Sequence, residues 1–298
     1  MNQARPSLLV KPRAAEGEYI RVAPATAGWE RLHFSARRLR RGEQWQAETG
    51  NFEYGLVILG GTCAVESSRG DWRNIGRRQN VFSGLPHALY LPAQTGFTVT
   101  ASSEELDLAC GWCESDGQHP PQLVTPESGA IEIRGGGNAT RQINSIFPPG
   151  FHCHRLVAVE VYTPSGNWSS YPPHKHDEHR VDAAGNIVEA DLEEVYFYKF
   201  DKPQGYAIQR VYTADARLDE AMVVRDSEVV LVPEGYHPVA AAHGYTTYYL
   251  NFLAGSAQSL ANSDDPAHAW IKQTWKDKDS RVPLVTLAME PAADGTRT

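Results

Sequence analysis

Short runs rich in Val, Ile, Tyr, Phe and Thr, each closed off by Gly or Pro, restrict this chain more than any other feature. They fall at Leu56–Leu59, Ala88–Leu91, Phe97–Thr100, Leu156–Tyr162, Glu194–Phe200, Tyr206–Tyr212, Val229–Val232 and Thr246–Phe252. Many short strands with turn signals about every ten residues predict an all-β sandwich or barrel. The 25 glycines and 19 prolines are spread along the chain instead of marking one linker. Helical periodicity is scarce. The best candidate is Asp265–Trp275, with Asp264 as N-cap and Pro266 in its first turn, which predicts a short C-terminal helix followed by a polar tail.

At 298 residues the chain is twice the roughly 150 of a usual single domain, so two units or one large one are expected. A similar order of elements recurs on either side of Gly135-Gly136-Gly137. A strand opening in Glu (Glu53-Tyr-Gly-Leu-Val-Ile-Leu; Glu194-Val-Tyr-Phe-Tyr-Lys-Phe) runs into a hairpin. An apolar strand then ends at Pro92 or Pro233, and another begins at Phe97 or Tyr245. The repeat predicts two copies of one β-barrel, over 1–137 and 138–298.

Lys and Arg total 28 against 36 Asp and Glu, a formal charge of −8. That balance argues against general affinity for nucleic acid or anionic membranes. No apolar run approaches the ~18 residues of a membrane span, and the N-terminal stretch lacks the apolar core of a secretory signal. A soluble cytoplasmic protein is expected. Cys110-Gly-Trp-Cys113 is formally a CxxC, but a turn follows it and no second ligand pair stands nearby. All four cysteines read as ordinary buried thiols.

The chemistry concentrates in three stretches: Pro173-His174-Lys175-His176, Glu193-Glu194-Val-Tyr-Phe-Tyr, and Pro233-Glu-Gly235-Tyr-His237. Side chains alternate along a strand, so His174 and His176 share a face and Lys175 takes the other. Two imidazoles, a third from a later turn and one carboxylate form a compact site for a divalent first-row metal. His-Lys-His by itself more often marks a solvated edge; the two later motifs turn the balance toward a metal.

These motifs resemble those of cupin β-barrels. More closely, Glu160-Val-Tyr-Thr-Pro-Ser-Gly-Asn-Trp-Ser-Ser-Tyr-Pro-Pro-His-Lys-His-Asp, Glu193-Glu-Val-Tyr-Phe-Tyr, Gly205-Tyr-Ala-Ile-Gln-Arg-Val-Tyr-Thr and Gly235-Tyr-His-Pro-Val resemble the 5-deoxy-glucuronate isomerases of inositol catabolism. That family is related to the uronate isomerases of the pectin pathway. The resemblance implies two cupin-type (jelly-roll) barrels in tandem, one metal in the second, and aldose–ketose isomerisation of a deoxyuronic acid. It carries the ligand roles onto His174, His176, Glu194 and His237, with Glu193 the competing carboxylate. The usual four residues between the second His and the Glu are here the polar stretch Asp177–Glu193, which reads as a surface loop, a lid or rim over the barrel mouth. His179 in it reads as solvated. In the first barrel the same spacing falls on Gln46, Glu48 and Glu53, and no histidine follows Pro92 at the matching place. That half reads as metal-free, with His33 and His87 ordinary partly buried residues.

A divalent cation with open positions can chelate the carbonyl and neighbouring hydroxyl of an aldose as a Lewis acid. The composition of the site favours Zn2+, and Mn2+ or Fe2+ also fit. With Glu194 facing inward, parity turns Tyr196 and Tyr198 inward too, to orient substrate, shuttle a proton or simply pack. For the substrate carboxylate, Arg210 is preferred, on a strand expected to pair with that of Glu194, with Lys175 and Arg141 as further candidates. The resemblance also implies a homo-oligomer. A related uronate isomerase of pectin breakdown, a bicupin dioxygenase and a non-catalytic sugar-binding cupin are the competing readings.

Overall fold

A computed structural model describes residues 6–289; the outermost ends of the two expected units lie outside that range. The runs picked out above are all strands, and every pairing is antiparallel. Strands unforeseen in the sequence, such as Gly70–Ile75 and Asp219–Arg225, are largely exposed.

The first barrel sets a six-stranded sheet against a four-stranded one. The larger runs Gln122–Val124, His87–Leu91, Phe52–Gly60, Glu105–Glu114, His33–Arg40 and Gly17–Val22; the smaller runs Gln44–Glu48, Gly96–Ala101, Cys63–Ser67 and Gly70–Ile75. In the second barrel the larger sheet centres on Ile187–Phe200, flanked by Val229–Val232 and Thr247–Gly255, and continues through Val157–Thr163 and Arg141–Phe147. Trp168–Ser169, Val239–Ala241, Tyr206–Tyr212 and Asp219–Arg225 form its smaller sheet. Two early strands join the second barrel: Leu9–Val10 pairs with Val229–Val232, and Ile131–Arg134 with Arg141–Phe147. The Gly135–Gly137 stretch is therefore the turn of a hairpin.

The two large sheets pack back to back. Phe34 meets Phe197 and Phe252 with ring centroids 5.4 and 6.1 Å apart. Gly55 and Gly111 are cross-strand partners; a Cβ on Gly111 would collide with Phe252 and one on Gly55 with Phe147, so their bare backbone is the dimple those rings fill. Arg78 crosses the same interface, fully buried, to Glu160 at 3.0 Å. Each barrel also clamps the other with a carboxylate. Glu53 accepts the backbone N–H groups of His154, Arg155 and Leu156 at 2.6–2.9 Å. Glu193 accepts those of Glu30, Arg31 and Leu32. Each clamp seats the segment that leads into a strand of the opposite barrel, a reciprocity expected of two copies of one unit.

Three expectations are corrected. The C-terminal helix is a 3₁₀ helix over Ala269–Thr274, and Asp265, not Asp264, caps the preceding turn by accepting from Ala267 N–H; none of its residues is buried, so nothing holds a longer helix. The stretch Asp177–Glu193 is a two-stranded hairpin, Asp177–Val181 against the start of Ile187–Phe200, turning through Asp182–Asn186. Arg210 lies in Tyr206–Tyr212, which pairs with Asp219–Arg225 and Val239–Ala241 and not with the Glu194 strand. Cys63, Cys110, Cys113 and Cys153 are free and buried, as expected; Cys110 and Cys113 face different cores.

Candidate metal centre

In the second barrel Glu194, Tyr196 and Tyr198 take alternate positions of one strand and all are buried. Their cross-strand partners are Val232, Leu253 and Asn251, and Tyr249. Glu193, one residue earlier, turns to the opposite face and is used up in its clamp. Parity thus separates the adjacent carboxylates by role.

His176 Nε2 lies 2.9 Å from Glu194 Oε2, and His237 Nε2 lies 3.4 Å from the same oxygen. One donor atom from each of His176, Glu194 and His237 falls within 4.8 Å of the others. His174 stands beside this trio and outside its closest set, its ring centroid 4.8 Å from His237 and 6.5 Å from His176. Lys175 points away, as alternation requires, and pairs with Asp177, Glu189 and Glu178.

Two backbone contacts fix which imidazole nitrogen faces inward. His237 Nδ1 meets Gly235 O at 2.8 Å, and His176 Nδ1 meets Leu192 O at 3.1 Å. An Nδ1–H donated to a carbonyl leaves the Nε2 lone pair free, the arrangement common to metal-ligating histidines. Gly235, with φ +84°, makes the turn that carries His237 inward. His237 is fully buried, and its Nε2 has no hydrogen-bond partner. A buried nitrogen with nothing to bind is costly unless a ligand completes it.

The electrostatics agree at two of the three imidazoles. Burial, then the neighbouring His176, pushes His237 down to about 3. Burial and the other two imidazoles hold His174 well below the ordinary range. Burial disfavours the imidazolium at His176 as well, but the hydrogen bond its Nε2–H gives to Glu194 Oε2 outweighs it and the net direction is upward. With the His176 proton given up, three neutral imidazoles beside one carboxylate would form a donor set for Zn2+, Mn2+ or Fe2+.

Around the donors lies a polar wall. Tyr198 donates to Gln209 Oε1 at 2.8 Å, which satisfies its hydroxyl. The Tyr196 hydroxyl reaches Ser170 Oγ at 3.0 Å, and Ser169 Oγ reaches the Tyr249 hydroxyl at 2.5 Å. Arg141 is 4% exposed, and both of its hydrogen bonds go to backbone carbonyls, of Ala139 and Tyr171. Among the described residues it has no salt bridge, and burial pulls its pKa down to about 10. Arg210, by contrast, faces outward over Tyr212 and is paired with Asp219 at 2.7 Å, so the expected carboxylate role does not suit it. Ser169, Ser170 and Tyr249 escaped the sequence reading. Only Tyr249 left a signal there, once the register opposite Tyr198 is known.

In the first barrel the matching spacing positions are spent elsewhere. Gln46 and Glu48 lie on the strand Gln44–Glu48, Glu48 exposed, and Glu53 belongs to its clamp. Among the described residues, only the second-barrel trio brings three such donors together.

Fold and site together define a double-barrel cupin with a candidate metal centre in its second barrel. The chain belongs to the KduI/IolB family, whose model matches residues 8–271. A 5-deoxy-glucuronate isomerase from Geobacillus thermodenitrificans is 41% identical over 260 residues, 87% of this chain and 93% of that protein. The 5-deoxy-glucuronate isomerase of Bacillus subtilis strain 168 is 39% identical over 242 residues, covering 80% and 87%. The crystal structure of an IolB-like protein from Salmonella typhimurium superposes with a TM-score of 0.85 at 37% identity, over 89% of this chain and 99% of that one. Bacillus subtilis oxalate decarboxylase shares the fold alone, with a TM-score of 0.62 at 11% identity over 88% and 80% of the two chains.

Proposed function

We propose that this chain is a divalent-metal-dependent aldose–ketose isomerase that converts 5-deoxy-D-glucuronate to 2-deoxy-5-keto-D-gluconate in inositol catabolism. Relatives of that name match along most of their length. The observation that carries the mechanism is the buried His176–Glu194–His237 cluster with its partnerless His237 nitrogen. Those three residues, joined by His174, would hold the cation. When bound, it supplies a Lewis acid for the carbonyl and adjacent hydroxyl of the sugar.

The chain's own residues supply the rest. The Gly235 and Leu192 carbonyls keep the imidazoles in the ligating tautomer. Arg141, a buried guanidinium with no acidic partner, offers a charge-assisted anchor for the sugar carboxylate. Tyr196 presents a hydroxyl to substrate oxygens, whereas Tyr198 packs with its hydroxyl occupied by Gln209. The first barrel is a metal-free structural copy; the chain divides near 1–137 and 138–298, with Leu9–Val10 and Ile131–Arg134 lent by the first segment to the sheet of the second barrel. Zn2+ is the preferred metal, and the working form is a cytoplasmic homo-oligomer.

The test is anaerobic incubation of metal-loaded protein with 5-deoxy-glucuronate, before and after chelation. Formation of the keto acid that stops on chelation and returns with Zn2+ or Mn2+ supports the reading. Because the family model spans two names, a 5-keto-4-deoxyuronate is run in parallel; faster turnover of it moves the substrate to the pectin series. Oxygen uptake instead of isomerisation makes the protein a dioxygenase, and binding without turnover makes it a sugar-binding cupin.

A further inference from the structure

Ser170 carries a left-handed backbone, φ 49°, at a buried position inside the second barrel. Such a conformation is unfavourable for a residue with a Cβ, and it tends to persist where function holds it. Its geometric consequence is specific. Consecutive side chains of a strand face opposite ways, yet Ser169 and Ser170 both turn their hydroxyls inward, because the chain leaves the strand Trp168–Ser169 through this left-handed residue.

The two hydroxyls meet two phenols. Ser170 Oγ lies 3.0 Å from the Tyr196 hydroxyl and 3.5 Å from that of Tyr249, while Ser169 Oγ lies 2.5 Å from Tyr249. The Tyr196 and Tyr249 rings pack at 4.8 Å, and Tyr196 also lies 5.8 Å from the His237 ring. Hydroxyls therefore run from beside the His237 ring toward Arg141, which donates to the carbonyl of Tyr171, the residue after Ser170, at 3.1 Å. A sugar acid anchored at both ends would lie along this wall.

We propose that Ser170 is a positioning residue, whose left-handed turn exists to hold the Tyr196 and Tyr249 hydroxyls toward the middle of a bound sugar acid. The inference rests on the isomerase reading. Tyr196 and Tyr249 touch the substrate; Ser170 acts through them, and a sugar lacking its middle hydroxyls should gain little from it.

Ser170→Gly tests it cleanly, because glycine removes the hydroxyl and relaxes the backbone at once. The expected result is a fall in kcat of tenfold or more, with bound metal unchanged, KM within threefold, and a melting temperature equal to or above wild type. Ser170→Ala should lose the same activity and melt lower, since it keeps the strain. Tyr249→Phe should lose a similar factor, and the double variant with Ser170→Gly little more. Full kcat in Ser170→Gly overturns the proposal, and so does loss of metal or of the fold, which would make Ser170 structural. A crystal structure of Ser170→Gly gives a readout independent of turnover. Displaced Tyr196 and Tyr249 hydroxyls beside unmoved histidines support the role, and unmoved phenols overturn it. Wild-type protein inert on both uronates would be a failure of the isomerase reading, visible separately from that structure.

Discussion

The two barrels share one frame and differ in what fills it. Register makes the match explicit. Tyr54 pairs with Leu91 in the first barrel as Glu194 pairs with Val232 in the second, and each apolar partner directly precedes a proline. Counting inward along those strands sets Leu56 against Tyr196 and Ile58 against Tyr198. The first interior is closed with Leu, Ile, Val, Cys and Trp side chains, Tyr54 stacking on Trp112 at 5.2 Å. The second holds imidazoles, phenols, a carboxylate and a guanidinium. An apolar filling stabilises a barrel at no risk, whereas buried polar groups cost free energy unless satisfied. A duplicated barrel can keep its fold with one copy dry, which frees the other for chemistry.

Removing a donor should break this contrast most severely. His237→Ala is expected to lose most bound metal and to lower kcat by about a thousandfold or more, the scale of several kcal/mol of Lewis-acid stabilisation. Its fold should persist, supported by the back-to-back sheets. Tyr54→Phe, at the matching frame of the first barrel, should leave metal content and turnover as they were. Metal analysis of both variants beside steady-state kinetics decides it, and a metal-replete, active His237→Ala removes the assignment.

Next in size is Arg141→Met. Replacing an unpaired buried charge with an apolar chain of similar length should leave the melting temperature equal or higher. Losing a charged hydrogen bond worth ~1.5–3 kcal/mol should raise KM for the uronate about ten- to a hundredfold. Arg210→Met, on the outer face, should change KM little. If Arg210 proves the sensitive one, the anchor lies outside the barrel.

The adjacent carboxylates sharpen the comparison from the side of stability. Glu194→Gln should strip metal, whereas Glu193→Gln should keep it and lose about 1–3 kcal/mol of folding stability through weaker bonds to the Glu30–Leu32 backbone. Glu53→Gln should behave like Glu193→Gln, because the clamps are reciprocal. Denaturant titrations with metal analysis separate the outcomes, and metal loss in Glu193→Gln would reverse the assignment.

How much of this was legible in the chain follows from which signals are local. Strand existence came from short apolar runs bounded by turn residues, which a short segment carries by itself; the choice of Glu194 came from the family resemblance, and parity then turned Tyr196 inward with it. The Asp177–Glu193 hairpin did not, because much of it is exposed and no alternation marks it. Arg210 was misplaced since strand order in sequence does not say which sheet a strand joins. Ser170 was invisible for a different reason: one left-handed residue overturns the alternation by which inward positions are read, and only the backbone reveals it.

The smallest effect should come from a polar group left inside the dry barrel. His87 is 3% exposed, with Nδ1 unpartnered, on a strand whose inward positions it shares with Leu89 and Leu91. Burial, then the charge of Arg77, pushes it down to about 4 from its ordinary 6.5. Between those values the unfolded chain binds a proton that the folded one refuses, so stability rises with pH across the window and falls as pH drops from 6.5 toward 4. Above 6.5 the contribution is fully present. In the second barrel His174 and His237 add slope of the same sign and His176 slope of the opposite one, so a single profile would not isolate His87. The difference between wild type and His87→Leu does, because the shared groups cancel. Urea titrations at pH 7, 5.5 and 4.5 should show His87→Leu gaining relative stability as the solution is acidified. A difference independent of pH would mean that His87 is protonated inside the fold, and that the first interior is less dry than its apolar lining implies.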